Sequence, residues 1–152
     1  MSFESILPIF SKQHLNATDG STLAYLIMAF GLGALIATLS IAGIRSDLMK
    51  GRIFMFMGLF SGVTPILLAF SAGFPVAFLS CVAMGVSQAG FMALANTYVQ
   101  RLAPDYLRGR ISSLYILHAG GIMAFSNLGY GFAAELFSSR LILFVTGILF
   151  IV

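Results

Sequence analysis

The sequence predicts an all-α fold: a polytopic membrane helix bundle of about five transmembrane helices. Three observations predict it. The first is composition. The chain is 59% hydrophobic, with a mean hydropathy of +1.01 and only 9% charged residues. A soluble domain carries roughly 25% charged residues, so this chain lacks the polar surface that keeps a protein dispersed in water. The second is the arrangement of the apolar residues in long runs separated by short breaks. The third is the clustering of Lys and Arg in alternate loops, the pattern that orients membrane helices.

The elements follow in order. Residues 1–20 are mixed in character, and Pro8 with the cluster Asn16-Ala17-Thr18-Asp19-Gly20 marks them as an outward-facing loop or interfacial segment. No basic start followed by an apolar run appears there, so no secretory signal peptide is read. Asn16-Ala17-Thr18 matches the glycosylation acceptor pattern and reads as a chance tripeptide in a turn. Residues 21–152 form the transmembrane domain, with spans at about 22–44, 53–71, 76–99, 111–137 and 141–152. The last, at about 12 residues, is too short to cross a ~30 Å core at 1.5 Å per residue, and is read as a truncated helix.

The breaks have their own chemistry. Ala72-Gly73-Phe74-Pro75 is an uncharged tight turn, Ala103-Pro104-Asp105 ends the third span, and Ser138-Ser139-Arg140 separates the fourth from the fifth. Arg45, Lys50 and Arg52 lie between the first two spans, and Arg101, Arg108 and Arg110 between the third and fourth; the other two turns hold only Arg140. Short basic loops stay in the cytoplasm, so residues 43–52 and 101–110 are expected inside and residues 72–75 outside. The net charge of +3 is therefore a topology signal, and no nucleic-acid partner is read from it.

Residues 43–52 read GIRSDLMKGR, and the second basic loop reads RLAPDYLRGR. Each holds one acid, Asp47 or Asp105, among three bases, which suits either a network of ion pairs or a solvated cluster. Gly43-x-x-x-Asp47-x-x-Lys50-Gly51-Arg52 resembles the loop signature of major facilitator superfamily transporters, G-x-x-x-D-R-x-G-R-R, which lies between the second and third helices and, more weakly, between the eighth and ninth. Pro104-x-x-x-Arg108-Gly109-Arg110 is similar to the loop before the fifth or eleventh helix in the drug- and siderophore-exporter branch, the enterobactin exporters among them. The stretch LPIFSKQHLNATDGSTLAYLIMAFGLGAL also looks like that branch, in which an LP-x-F segment precedes a Gly-rich helix. Leu48 departs from the signature, where the family carries Arg or Lys.

The resemblance implies that the five spans correspond to helices eight to twelve of a twelve-helix transporter. It implies most of a C-terminal half whose partner is the missing N-terminal half. It further implies that Asp47 faces the helix start at Ile111, with Arg108 and Arg110 nearby, as a conformational latch. A helix N-terminus attracts an anion through its free N–H groups. Gly43, four residues before Asp47, would let another backbone come close.

Polar residues within the spans mark a candidate substrate path. In the third span Cys81, Gly85, Gln88, Met92 and Asn96 recur every three to four residues and share one face. The fourth carries Tyr115, His118, Ser126 and Asn127 beside Gly120, Gly121, Gly129 and Gly131. Polar groups in lipid are costly, so Gln88, Asn96, Tyr115, His118 and Asn127 are expected to face the bundle interior or a watery cavity. The second and fifth spans, poorer in polar residues, are expected to face lipid on most sides. By the resemblance, too, the eighth, tenth and eleventh helices line the cavity.

His118 suits proton coupling; a neutral histidine satisfied by a nearby carbonyl or hydroxyl is the structural alternative. Glu135, at the outer end of the fourth span, is a further transport candidate. No Asp, Glu, Lys or Arg lies deep in a span, so a main proton-relay acid would belong to the missing part. The small residues of Gly31-Leu32-Gly33-Ala34-x-x-Ala37 predict close helix packing. The single Cys81 excludes an internal disulfide and reads as a small apolar residue. No paired acids, no Ser-His-Asp set and no metal cluster point to an enzyme, and no cofactor is expected.

The leading reading is a fragment of a secondary transporter in a bacterial inner membrane. It would be an exporter, or antiporter, of hydrophobic or amphipathic small molecules, working by alternating access in contact with the lipid bilayer. The alternatives are a small non-transporting membrane interaction subunit and an inert product of a truncated gene.

Overall fold

The computed structural model describes residues 7–14, 20–44, 46–136 and 139–151. The Asn16–Thr18 tripeptide, Arg45 and the Glu135 side chain lie outside the described residues. Among the described residues six helices follow one another: α1 (Leu7–His14), α2 (Gly20–Ala42), α3 (Asp47–Ala69), α4 (Phe74–Leu102), α5 (Arg108–Leu136) and α6 (Ser139–Ile151), with a 3-10 turn at Asp105–Leu107 before α5. Among the described residues there is no strand. Four helices of the described residues are long and apolar enough to span a membrane, and Ser139–Leu149 forms a shorter apolar helix. The chain is thus a polytopic helical membrane bundle.

α1 lies within the stretch expected as an outward-facing loop or interfacial segment. Eight residues make a marginal helix in isolation. Pro8 sits in the first turn, where its missing N–H costs nothing, and Ser11 Oγ donates to the Pro8 carbonyl at 2.9 Å. What holds the helix is packing. Leu7 and Phe10 are buried in the same cluster as Leu26, Leu68, Ala77 and Leu143, so α1 rests on α2 and α6.

α4 is the central helix, packed along α2 on one side and α3 on the other. The α2 contact uses Leu26, Ala29, Gly33 and Ala37, one stripe at helical spacing. At its centre two glycines interlock. A Cβ on Gly33 would collide with the Val82 carbonyl, and a Cβ on Gly85 with the Phe30 carbonyl. Of the small residues expected to pack closely, Gly33 and Ala37 do so; Gly31 faces open space.

α3 was expected to face lipid on most sides. Instead one side is enclosed between α4 and α6, with Ser61, Gly62, Thr64, Pro65, Leu68 and Ala69 buried. Its neighbours come close because they too are small: a Cβ on Gly147 of α6 would lie 2.7 Å from the Gly62 carbonyl oxygen. Towards α4, the Phe54 and Phe91 rings stack at 4.7 Å. Met55, Phe56, Leu59 and Leu67 stay exposed on the other side, which suits contact with hydrocarbon.

The breaks shift slightly from expectation. Pro75 lies inside the first turn of α4, not in the preceding turn, because a proline at a helix start loses no hydrogen bond. Pro104 closes the α4 end and caps the 3-10 turn. At the opposite end from this turn, Arg140 Nη2 donates to the Ser71 carbonyl at 3.3 Å, tying the start of α6 to the α3–α4 turn.

Candidate functional site

α5 stands apart from the other spanning helices. Its most apolar stretch has no buried residue, whereas a third or more of the corresponding stretches of α3 and α4 is buried. It touches α4 lightly and leaves a groove between them. In that groove lies a cleft of about 190 Å³. Gln88 and Met92 line it from α4, Tyr115 and Met123 from α5, and Ser61 from α3, with Phe91 completing an apolar wall. The cleft therefore offers a hydroxyl, an amide and a phenol set among soft apolar side chains, an environment suited to an amphipathic molecule.

The expected path residues divide by this geometry. Gln88 and Tyr115 meet at the cleft. Asn96 lies further along α4, exposed, and its Oδ1 accepts from Gln100 Nε2 at 3.1 Å. His118 is exposed on α5, and Asn127 is half-buried. Asn127 neighbours Ser126, which borders a second cleft of about 430 Å³ between α5 and α6. The stripe from Cys81 to Asn96 does share a face, but α2 covers only its first part: Cys81 and Gly85 are buried, while Gln88 and Met92 emerge into the cleft.

Sequence reasoning passed over Ser61. The signal was present: Ser61 and Thr64 stand one turn apart, next to Pro65, in an otherwise apolar helix. A proline inside a helix deprives the carbonyl four residues earlier of its partner, here that of Ser61. Thr64 Oγ1 lies 3.5 Å from that oxygen and 3.4 Å from Ser87 Oγ on α4. Ser87 in turn donates to the Met84 carbonyl at 3.0 Å. This buried polar contact joins α3 to α4 beside Gln88 and one turn from Ser61, both of which line the cleft.

At one end of the bundle lie the charged loops. Ser46 has an extended backbone and precedes α3, whose first turn begins with Asp47; a carboxylate there suits the positive end of the helix dipole. The resemblance placed Asp47 at the start of α5. In the structure it pairs with Arg101, the basic residue of the last turn of α4. Arg108 is engaged elsewhere: Nη2 pairs with Asp105 at 2.8 Å, and Nε donates to the Gln100 carbonyl at 3.1 Å. Arg110 is exposed. The difference follows from the close packing of α3 on α4, which brings their loop-side ends together while α5 stands off. Gly43 is exposed, and among the described residues a Cβ there would meet the Ser40 carbonyl at 3.8 Å and no other helix backbone. Gly51, next in the motif, faces Tyr98 Oη of α4.

Comparison with known proteins agrees with this architecture. A profile of the transmembrane secretion effector family, one of the major facilitator families, matches residues 1–152. The multidrug efflux pump Tap of Mycolicibacterium fortuitum is 29% identical over 112 residues, 73% of this chain and 27% of the relative. The chain thus spans about a quarter of the length of that relative. No solved structure gives a significant match. A bundle of apolar helices, a loop signature at the ends of the packed pair α3 and α4, and a match along the whole chain lead to one conclusion: the protein belongs to the transmembrane secretion effector family of major facilitator transporters.

Proposed function

We propose that this chain forms part of a secondary active exporter of hydrophobic or amphipathic small molecules, working by alternating access in a bacterial inner membrane. The observation that carries the reading is the cleft between α3, α4 and α5. Ser61, Gln88 and Tyr115 supply a few polar contacts on an apolar wall, the composition of a small-molecule site. The efflux function of the Tap relative points the same way. Residues 43–52 and 101–110 lie in the cytoplasm in this reading, consistent with the Asp47–Arg101 pair that puts both loops at one end.

The bare α5 supports a second half as partner. His118 is exposed on it, and an imidazole facing lipid is costly; a neighbouring helix or a watery path between two halves would relieve that cost. The cargo class in this reading is that of lipophilic drugs, which set a few polar groups on an apolar body. The same bare α5 favours, as a second reading, a non-transporting subunit that docks on a partner bundle.

One experiment separates the two. The chain is co-expressed with the complementary half in cells stripped of efflux pumps, and extrusion of a lipophilic fluorescent dye is followed. Energy-dependent extrusion that weakens in Gln88→Leu supports the exporter. Stable assembly without extrusion of any of a panel of amphipathic dyes supports the subunit.

A further inference from the structure

The wall that Phe91 gives to the cleft is buttressed by α3. Its ring stacks on that of Phe54, with 4.7 Å between centroids and 11° between planes. Gly58, one turn along α3 from Phe54, makes room for one edge: a Cβ there would stand 3.2 Å from Phe91 Cε2 and 3.4 Å from Cδ2. Phe54 is itself steadied by Tyr98, edge-on at 5.6 Å. The Phe91 ring thus has one face and one edge engaged and holds a fixed plane. Met92 and Met123, in the same lining, carry flexible thioethers, which adjust their shape and favour the edges of aromatic rings. On α5 the small Ala119 stands one turn from both Tyr115 and Met123, and leaves space that a larger side chain would fill.

We infer that the cleft takes a flat, uncharged aromatic ring system of the cargo, laid against Phe91 and edged by the methionine sulfurs. The inference rests on the reading of this cleft as the small-molecule site and narrows its substrate class. Size agrees. The cleft measures about 190 Å³, and an apolar cavity of about 150 Å³ admits benzene. One ring or two fused rings therefore fit, and the rest of a larger cargo stays outside. Charge agrees as well. Among the described residues no charged side chain lines the cleft, so a charge placed there would lose its water without gaining a counter-ion. A ring hydroxyl would find Ser61, Gln88 or Tyr115 in the same lining. Planarity is the property selected: a saturated ring is thicker and has no π-face to stack, and an aromatic pair gains about two- to tenfold over the same area of aliphatic contact.

The chain is purified in a neutral maltoside detergent, captured on scintillation beads and incubated with tritiated 2-naphthol. Specific binding is the part that excess unlabelled 2-naphthol displaces. Decahydro-2-naphthol, the saturated and non-planar counterpart, should compete about two- to tenfold more weakly. Phe91→Leu should weaken 2-naphthol by a similar factor and erase the difference between the two alcohols, while Phe91→Tyr keeps it. Ala119→Phe should abolish specific binding by filling the space. Phe56→Leu, on the exposed side of α3 and outside the cleft lining, should change nothing. Circular dichroism checks the folding of each variant, and the competition in the unaltered chain needs no variant at all. Equal competition by the two alcohols overturns the inference. So does the absence of specific binding, or stronger competition by cyclohexyltrimethylammonium, which would make the lining a site for organic cations. No transport is measured. A failure to extrude dye would therefore count against the exporter reading alone, and binding blind to planarity against this inference alone.

Discussion

Asp47 and Arg101, 54 residues apart in sequence, form an ion pair that joins the first turn of α3 to the last turn of α4. The Asp47 side chain is 70% exposed and that of Arg101 48%, so the pair is a surface contact. An exposed pair contributes about 0–1 kcal/mol. Asp47→Asn should therefore leave the bundle folded, with a loss of less than about 1 kcal/mol, yet loosen the loops. Spin labels at Ser46 and Leu102 should show a broadened distance distribution in Asp47→Asn and Arg101→Gln, and an unchanged one in Arg108→Ala, whose carboxylate partner is Asp105. If Arg108→Ala alone broadened it, the assignment of partners would be wrong.

The interlocked glycines make the second prediction. A methyl group on Gly33 or Gly85 runs into a backbone carbonyl that cannot turn aside. Overpacking costs about 1–3 kcal/mol where a side chain can adjust, and more against backbone. Gly33→Ala and Gly85→Ala should each destabilise by at least that much in detergent-mediated unfolding followed by circular dichroism. Gly31→Ala, which meets nothing within 4 Å, should be neutral or slightly stabilising, since Ala favours helix over Gly. Equal losses at all three positions would remove the packing argument.

Sidedness is tested by labelling. In a Cys81→Ala background, Ser46→Cys and Ala72→Cys are treated with an impermeant thiol reagent on intact cells. Ala72 suits the purpose because it is exposed, whereas Ser71 beside it is buried and its carbonyl is bound by Arg140. Labelling at Ala72 and not at Ser46 is expected; the opposite pattern would invert the proposed topology.

The cleft predicts an ordering among polar substitutions. With the complementary half present, Gln88→Leu and Tyr115→Phe should each lower dye extrusion by about 2–10-fold, the equivalent of one net hydrogen bond. Asn96→Leu should have little effect, because Asn96 lies outside the cleft and bonds to Gln100. A large loss in Asn96→Leu with none in Gln88→Leu would place the substrate path elsewhere.

Much of this protein is legible in its sequence alone. The length and apolarity of a membrane-spanning helix are local properties, since each backbone group must find its partner within the same segment. That is why the five apolar segments fall on helices, although α3 begins six residues before the expected start, at Asp47. The clustering of bases in alternate loops and the close approach at Gly33 are likewise written in residue type and spacing.

Tertiary structure decided the rest. Leu7–His14 is too short to be helical by propensity, and it forms because Leu7 and Phe10 find a pocket between α2 and α6. Several arginines could have answered Asp47, and nothing local distinguishes Arg101 from Arg108. The choice fell to the helix pair that packs closely enough to bring their ends together. Ser61 was one of few polar residues in a helix read as facing lipid on most sides, and only the placing of α4 and α5 around it put it in a cleft. Hydropathy acts along one segment, whereas an ion pair or a cleft depends on distances between segments, and those are set by which small residues let two backbones meet.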